Sequence, residues 1–367
     1  MPRIFLVVVD GLGVFPDGGK TSSLRSICKT LGTDVTQLET LCNLGLECAV
    51  TGRGHLMTQL SVPVGSEEGH REMFGLVTKT PHPVPSEPLP SDIFTTLEKR
   101  FGIGFIGNEQ GRGKDVVPKY WRQHLESSSI IVYRGIDSVV VISAEECVLD
   151  VEQLYEVGAE LRVLLNGIHG PCVKKVIVKP LRNRIPIDEL RRDYFQKIDG
   201  DSLIHDVVPN DWRIVINQKV FDILGFSADE ILHTRTDKEC MWFLSHEQRK
   251  AQRNTFMMIN LEDYDRYAHL GEANRCWQTL SKLNMYLHSF IGLLYDKDWL
   301  IVTGDHGIRI GEGDLGLAHS REAVPLLCFS KLQPLKDIPC HRGFSIVGKT
   351  VAEITRIGYV QALLSAT

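Results

Sequence analysis

The stretch 300–319, LIVTGDHGIRIGEGDLGLAH, constrains the fold of this chain more than any other. It opens on a short apolar run, Leu300, Ile301, Val302 and Thr303, which has the β-branched pattern of a buried strand. Gly304 breaks that run into Asp305-His306-Gly307, and a glycine-rich loop leads on to His319. A carboxylate and an imidazole at the end of a buried strand lie where open α/β sheets bind their ligands. One Asp with two His is a donor set suited to zinc or manganese. A surface turn would use the same Gly-Asp and His-Gly pairs, so the other segments have to decide.

They repeat the pattern. Residues 4–9 are a continuous apolar run that ends in Asp10-Gly11-Leu12-Gly13, a carboxylate on a tight glycine turn. Residues 212–216 and 256–261 read as further buried strands. The second of these runs on into Asp265 and His269, whose spacing of four puts both on one side of a helical turn. Val64-Gly65-Ser66-Glu67-Glu68-Gly69-His70 reads either as a capped turn or as a hydroxyl at a helix N-terminus. In the second case the backbone N–H groups there would also hold a phosphoryl oxygen. Trp277, Leu280, Leu283, Leu287, Phe290 and Leu294 recur at helical spacing as a core stripe, and residues 323–329 read as a strand before a C-terminal helix to about Leu364.

Residues 81–91, PHPVPSEPLPS, hold five prolines in eleven positions, which no helix or central strand accommodates. Beyond this linker the pattern changes. Helices are expected over 92–100 and 151–166, strands over 129–133, 138–143 and 173–179, and a basic irregular stretch around Arg182, Arg184, Arg191 and Arg192. The expected organisation is an α/β core formed by 1–83 and 198–367, with 84–197 inserted as an α/β cap domain.

At 367 residues the chain has length for such an arrangement, and its net charge of −5 gives no basic field for nucleic acid. The apolar run near the N-terminus is too short for a secretion signal, and no stretch is long enough to span a membrane. Nine dispersed cysteines without a CxxC pair read as reduced thiols, so a cytoplasmic protein is expected.

Asp10, Asp265, Asp305, His269, His306 and His319 are the inventory for two divalent cations, with Ser66 as the hydroxyl they would activate. Taken together, Asp10-Gly11, Ser66-Glu-Glu-Gly-His70, Asp265…His269, Thr303-Gly-Asp305-His306-Gly307 and His319-Ser-Arg-Glu-Ala-Val-Pro325 resemble the alkaline phosphatase superfamily. Within it the chain is most similar to phosphopentomutases, along nearly its full length. Gly69-His70-Arg71-Glu72-Met73-Phe74-Gly75-Leu76 matches that family's Gly-His-Trp-Glu-x-x-Gly-Leu, with Arg71 in place of Trp.

The resemblance implies an alkaline-phosphatase-like core sheet with helices on both faces. It implies that Asp265, His269 and His319 hold one metal, and Asp10, Asp305 and His306 the other. Manganese is the implied ion, with zinc or magnesium as alternatives. A phosphoryl group would pass through Ser66 between two oxygens of one small phosphorylated substrate, ribose or deoxyribose 1-phosphate going to the 5-phosphate. A cap closing over the site would exclude water and favour return to the sugar over hydrolysis.

Asn108, Asp137, Arg182, Arg184, Arg191 and Arg192 are the expected substrate contacts, since arginine suits bidentate binding of phosphate or carboxylate. Three departures stand out. Ser66 replaces the Thr of phosphopentomutases, the Asp265–His269 spacing is four rather than five, and Arg184-Ile-Pro-Ile-Asp188 replaces a Thr-Arg-Thr phosphate motif. The first two are nearer to cofactor-independent phosphoglycerate mutase, so the catalytic parts are retained while the substrate pocket is altered. A phosphomonoester or phosphonate hydrolase, or a mutase of another phosphorylated small molecule, would use the same residues.

Overall fold

A computed structural model describes residues 2–16, 22–52, 54–81, 88–135, 138–166, 173–198, 200–250, 254–308, 319–332 and 341–365. The chain divides into two compact units, one of Met1–Thr80 with Ile198–Thr367 and one of Pro81–Lys197.

The first unit is built on an eight-stranded sheet. Across it run Glu230–Leu232, Arg213–Asn217, Thr255–Leu261, Arg3–Val9, Asp298–Gly304, Val324–Phe329, Leu56–Thr58 and His341–Arg342. The first five are parallel, and Val324–Phe329 runs antiparallel to Asp298–Gly304. Every residue of the three central strands is buried, which explains why their sequences are continuous apolar runs rather than alternating ones.

One face, carrying Phe5, Val7, Val9, Met257, Ile259, Leu300 and Val302, packs on the stripe of the Ala273–Leu293 helix. Leu280, Leu283, Leu287 and Phe290 of that stripe are buried, and Phe290 meets Phe5 edge to face at 5.2 Å. On the other face Phe256 meets Phe74, which follows the Ser66–Met73 helix. Register is what positions the site. Val9 pairs with Leu261 on one side and Gly304 on the other, so the three central strands end in step.

The second unit holds a six-stranded mixed sheet. Phe105–Gln110, Ile130–Arg134, Val139–Glu145 and Lys175–Arg182 lie side by side, and Ile185–Pro186 and Arg192–Phe195 both pair with the last. The helices Ser91–Phe101 and Val151–Asn166 supply the core on one face. Gly113–Ser127 supplies it on the other.

The basic stretch read as irregular is a hairpin. Asn183 and Arg184 adopt φ of 52° and 70°, as a two-residue hairpin turn needs, and both of their N–H groups donate to the buried Glu145 carboxylate.

Candidate metal centre

The turns after the three central strands carry most of the predicted ligands. Asp10 follows Arg3–Val9, Asp305 and His306 follow Asp298–Gly304, and Asp265 and His269 lie on the Asp263–His269 helix just beyond Thr255–Leu261. His319 stands on a two-residue strand paired with Gly307–Ile308. Gly11 turns the chain after Asp10 at φ +80°, and a Cβ there would stand 3.0 Å from Asp265 Oδ1, so the turn needs glycine twice over.

Ser66 is the first residue of its helix. Its Oγ lies 3.0 and 3.3 Å from the two Asp10 oxygens and 3.3 Å from His306 Nε2. His306 Nε2 is 3.1 Å from Asp10 Oδ1, while Nδ1 donates to the Gly307 carbonyl at 3.0 Å. A carbonyl only accepts, so that bond places a proton on Nδ1 and leaves Nε2 facing the Asp10 carboxylate.

Two donor groups converge. Asp265, His269 and His319 each offer an atom within 4.8 Å of the others, and so do Asp10, Asp265 and His306. The Nε2 atoms of His269 and His319 are 3.0 Å apart. Asp265 thus belongs to both groups. Asp305, assigned from sequence to the second, stands slightly apart. Its Oδ1 accepts the Gly11 N–H at 3.0 Å and lies 3.8 Å from His306 Nε2.

Asp10, Asp305 and His306 are buried, whereas the His269 side chain is 41% exposed.

The electrostatics are those of a site with too much negative charge. Burial pushes Asp265 up to about 7, helped by the charges of Asp10 and Asp305. Burial alone would lower His306, but Asp305 and Asp10 raise it to about 10. Burial works to raise Asp10 too, yet the His306 bond, the Lys219 and His306 charges and the Asn260 amide hold it well below the usual carboxylate range. Among the described residues, Asp265 Oδ1 and Asp305 Oδ2 are buried without a hydrogen-bond partner. Orphaned carboxylate oxygens facing converging imidazoles are what a divalent cation satisfies, so the residues present fit metal ions.

The metalloenzyme superfamily model matches residues 232–358, which include Asp265, His269, Asp305, His306 and His319. Phosphopentomutase from Caldanaerobacter subterraneus subsp. tengcongensis is 28% identical over 98% of this chain and 95% of its own length. Along nearly its full length the chain is similar to phosphopentomutases, and its residues 232–358 match the metalloenzyme superfamily. Phosphopentomutase from Dictyoglomus turgidum is 29% identical over 97% of this chain and 95% of its own. Among solved structures, phosphoglycerate mutase from Leishmania mexicana is 10% identical and covers 96% of this chain and 95% of its own, with a TM-score of 0.46. The matched stretch contributes residues to both donor groups, each of which could hold a metal ion.

The expected substrate contacts are placed differently. Asn108 spends its amide on the backbone of Leu89, donating at 2.9 Å and accepting at 3.0 Å. Arg182 pairs with Glu146, Arg191 with Asp193, and Arg192 lies 3.7 Å over the Tyr155 ring. Arg184 stacks over Trp121 at 5.2 Å. These arginines do not converge on one point through the contacts they make. Asp137 lies outside the described residues.

Sequence reasoning passed over the residues that hold the ligands in place. Asn260 Nδ2 donates to Asp10 Oδ2 at 2.9 Å, and Asn217 clamps the backbone N–H and carbonyl of Asn260. Asp237 accepts from the N–H groups of Glu262 and Asp263, steadying the start of the Asp265 helix. Glu72 accepts from the N–H groups of Leu60, Ser61 and Phe344. The one available signal was an Asn or a carboxylate lying next to apolar runs.

Proposed function

We propose that this chain is a metal-dependent phosphomutase that moves a phosphoryl group between the 1- and 5-oxygens of ribose or deoxyribose phosphate, with Ser66 as the carrier. The observation that carries the proposal is the Ser66 hydroxyl, set at a helix N-terminus between Asp10 and His306 and beside two converging donor groups. Asp265, His269 and His319 would hold one divalent ion and Asp10, Asp305 and His306 the other, with the Asp265 carboxylate near both. Manganese suits this mixture of carboxylate and imidazole, as does zinc. Bound there, the ions would favour the alkoxide form of Ser66 and offset charge on the phosphoryl oxygens.

The protein's own groups do the rest. Asp10 accepts the Ser66 hydroxyl proton in a hydrogen bond, which turns an oxygen lone pair outward for attack at phosphorus. The first N–H groups of the helix are aimed at the phosphoryl oxygens once phospho-Ser66 forms. The P–O bond to the sugar breaks as the Ser66 bond forms, and the reverse exchange returns the group to the other sugar oxygen. The full-length likeness to phosphopentomutases supports the pentose substrate. A different phosphorylated small molecule is supported by the departures in sequence and by Asn108 and the arginines being engaged elsewhere. Among the described residues no helix is long and apolar enough to cross a membrane, and the cytoplasm is the compartment we assign.

The test is a phosphorus NMR time course with ribose 1-phosphate and 2-deoxyribose 1-phosphate, samples being quenched and freed of manganese before each spectrum. Conversion to the 5-phosphate without inorganic phosphate is the expected result. Inorganic phosphate alone makes the protein a hydrolase, and no change in either sugar excludes pentose phosphates.

A further inference from the structure

His70 belongs to the motif that carries Ser66, yet nothing in the proposed chemistry uses it. It is fully buried and lies four residues after Ser66, on the same side of the helix. Its Nδ1 is 2.8 Å from the Ser66 carbonyl oxygen and 3.4 Å from Asp305 Oδ2. The carbonyl has only lone pairs to offer, so Nδ1 carries the proton, and Asp305 Oδ2 faces the same N–H. Among the described residues no partner reaches Nε2. The Asp305 carboxylate is therefore flanked by two N–H groups, one hydrogen-bonded to it and the other a 3.4 Å contact. Gly11 N–H, from the turn that presents Asp10, holds Oδ1, and His70 N–H, from the helix that presents Ser66, stands over Oδ2.

We infer that His70 is a positioning residue, whose Nδ1–H fixes the orientation of the Asp305 carboxylate and ties it to the backbone of Ser66. It does not touch the reacting atoms; it sets the ligand geometry beside the nucleophile. The inference rests on the two-metal reading above, with Asp305 as a ligand.

Two amides separate this role from simple filling of space. The side-chain nitrogen of Asn overlies Nδ1 of His, whereas that of Gln overlies Nε2. The probe is manganese alone, titrated into the metal-free full chain and followed by the EPR signal of free ion, with melting of the metal-free protein alongside. His70→Asn should bind both ions within about threefold of the parent protein. His70→Gln should lose one of the two by roughly 10- to 100-fold while keeping the other, as outer-shell partners of metal ligands typically do. The metal-free melting temperatures of the two variants should agree within a few degrees. Equal losses in both variants, or unchanged binding in His70→Gln, would overturn the role. If His70→Gln does not fold, His70→Met, which fills the space without a donor, is read the same way. Because the titration needs no substrate, absence of mutase activity would refute the proposed function without touching this result.

Discussion

The Ser66 helix presses directly on the backbone that carries a predicted ligand, and Gly69 is what allows it. A Cβ at Gly69 would stand 2.1 Å from the carbonyl oxygen of Asp305, 2.8 Å from its carbonyl carbon and 2.9 Å from its Cβ. Ordinary carbon-to-oxygen contact begins at about 3.3 Å, so Gly69→Ala must part the two segments by about 1.2 Å. Most of the helix is buried, Glu67 through Met73 included, so it cannot yield toward solvent. The hydroxyl of Ser66, now 3.0 Å from Asp10, would move with it. A displacement of about 1 Å at a reacting group costs on the order of 100-fold in rate. Overpacking adds about 1–3 kcal/mol of destabilisation, against which the better helix propensity of Ala returns at most about 1 kcal/mol. The assay is kcat at saturating manganese and substrate, with the melting temperature measured on the same samples. Gly292→Ala is the control. It lies near the end of the Ala273–Leu293 helix with nothing among the described residues within 4 Å of its Cβ position, so it should leave both quantities unchanged or slightly raise the melting temperature. A Gly69→Ala protein with parental rate and melting temperature would refute the close-approach argument.

Three further outcomes are expected. Ser66→Ala should abolish phosphoryl transfer while elemental analysis finds the metal content intact; substantial turnover in that variant removes Ser66 as the carrier. Asp265 and His306 both titrate above their unfolded values, at about 7 and about 10, so each favours folding while protonated and loses that advantage as pH rises through its folded pKa. The metal-free protein should therefore melt lower at pH 8 than at pH 5.5, and calorimetry in two buffers should show protons released as manganese binds; a melting temperature that rises with pH would reverse the assignment. Glu72→Gln keeps one acceptor oxygen but turns an NH2 toward backbone donors, and should cost about 3 kcal/mol in urea unfolding, with loss below about 1 kcal/mol counting against the three-donor anchor.

Strand ends were legible because a buried parallel strand needs an unbroken apolar run, and at Asp10 and Asp305 the break falls on a residue that has no business in a core. The Asp265–His269 pair was legible from its spacing. What the sequence concealed was company. Nothing in the letters says that Asp305 would face Gly11 and His70, or that Asp265 would stand in both donor groups, because those contacts join segments far apart along the chain. The Gly113–Ser127 helix escaped notice since Pro118, a breaker by propensity, is its sixth residue and removes one N–H from the ladder. Asn183 and Arg184 were read as irregular because their charge hid a turn that a buried Glu145 stabilises from another strand. Cap arginines looked like a phosphate grip by composition, and several are instead matched to neighbouring carboxylates and rings.

The central position of Arg3–Val9 has a consequence for the growing chain. This strand is made roughly 250 to 300 residues before both its neighbours, Thr255–Leu261 and Asp298–Gly304. At ribosomal rates of about 5–20 residues per second, an apolar β-branched segment waits roughly 10–60 s with both edges unpaired. The contiguous unit of 81–197 has all its strands in hand well before then. Synthesis therefore imposes an order, in which the inserted unit can fold while the metal-bearing sheet is still missing its centre's partners. The period of greatest danger from aggregation falls on the segment that later becomes the best protected.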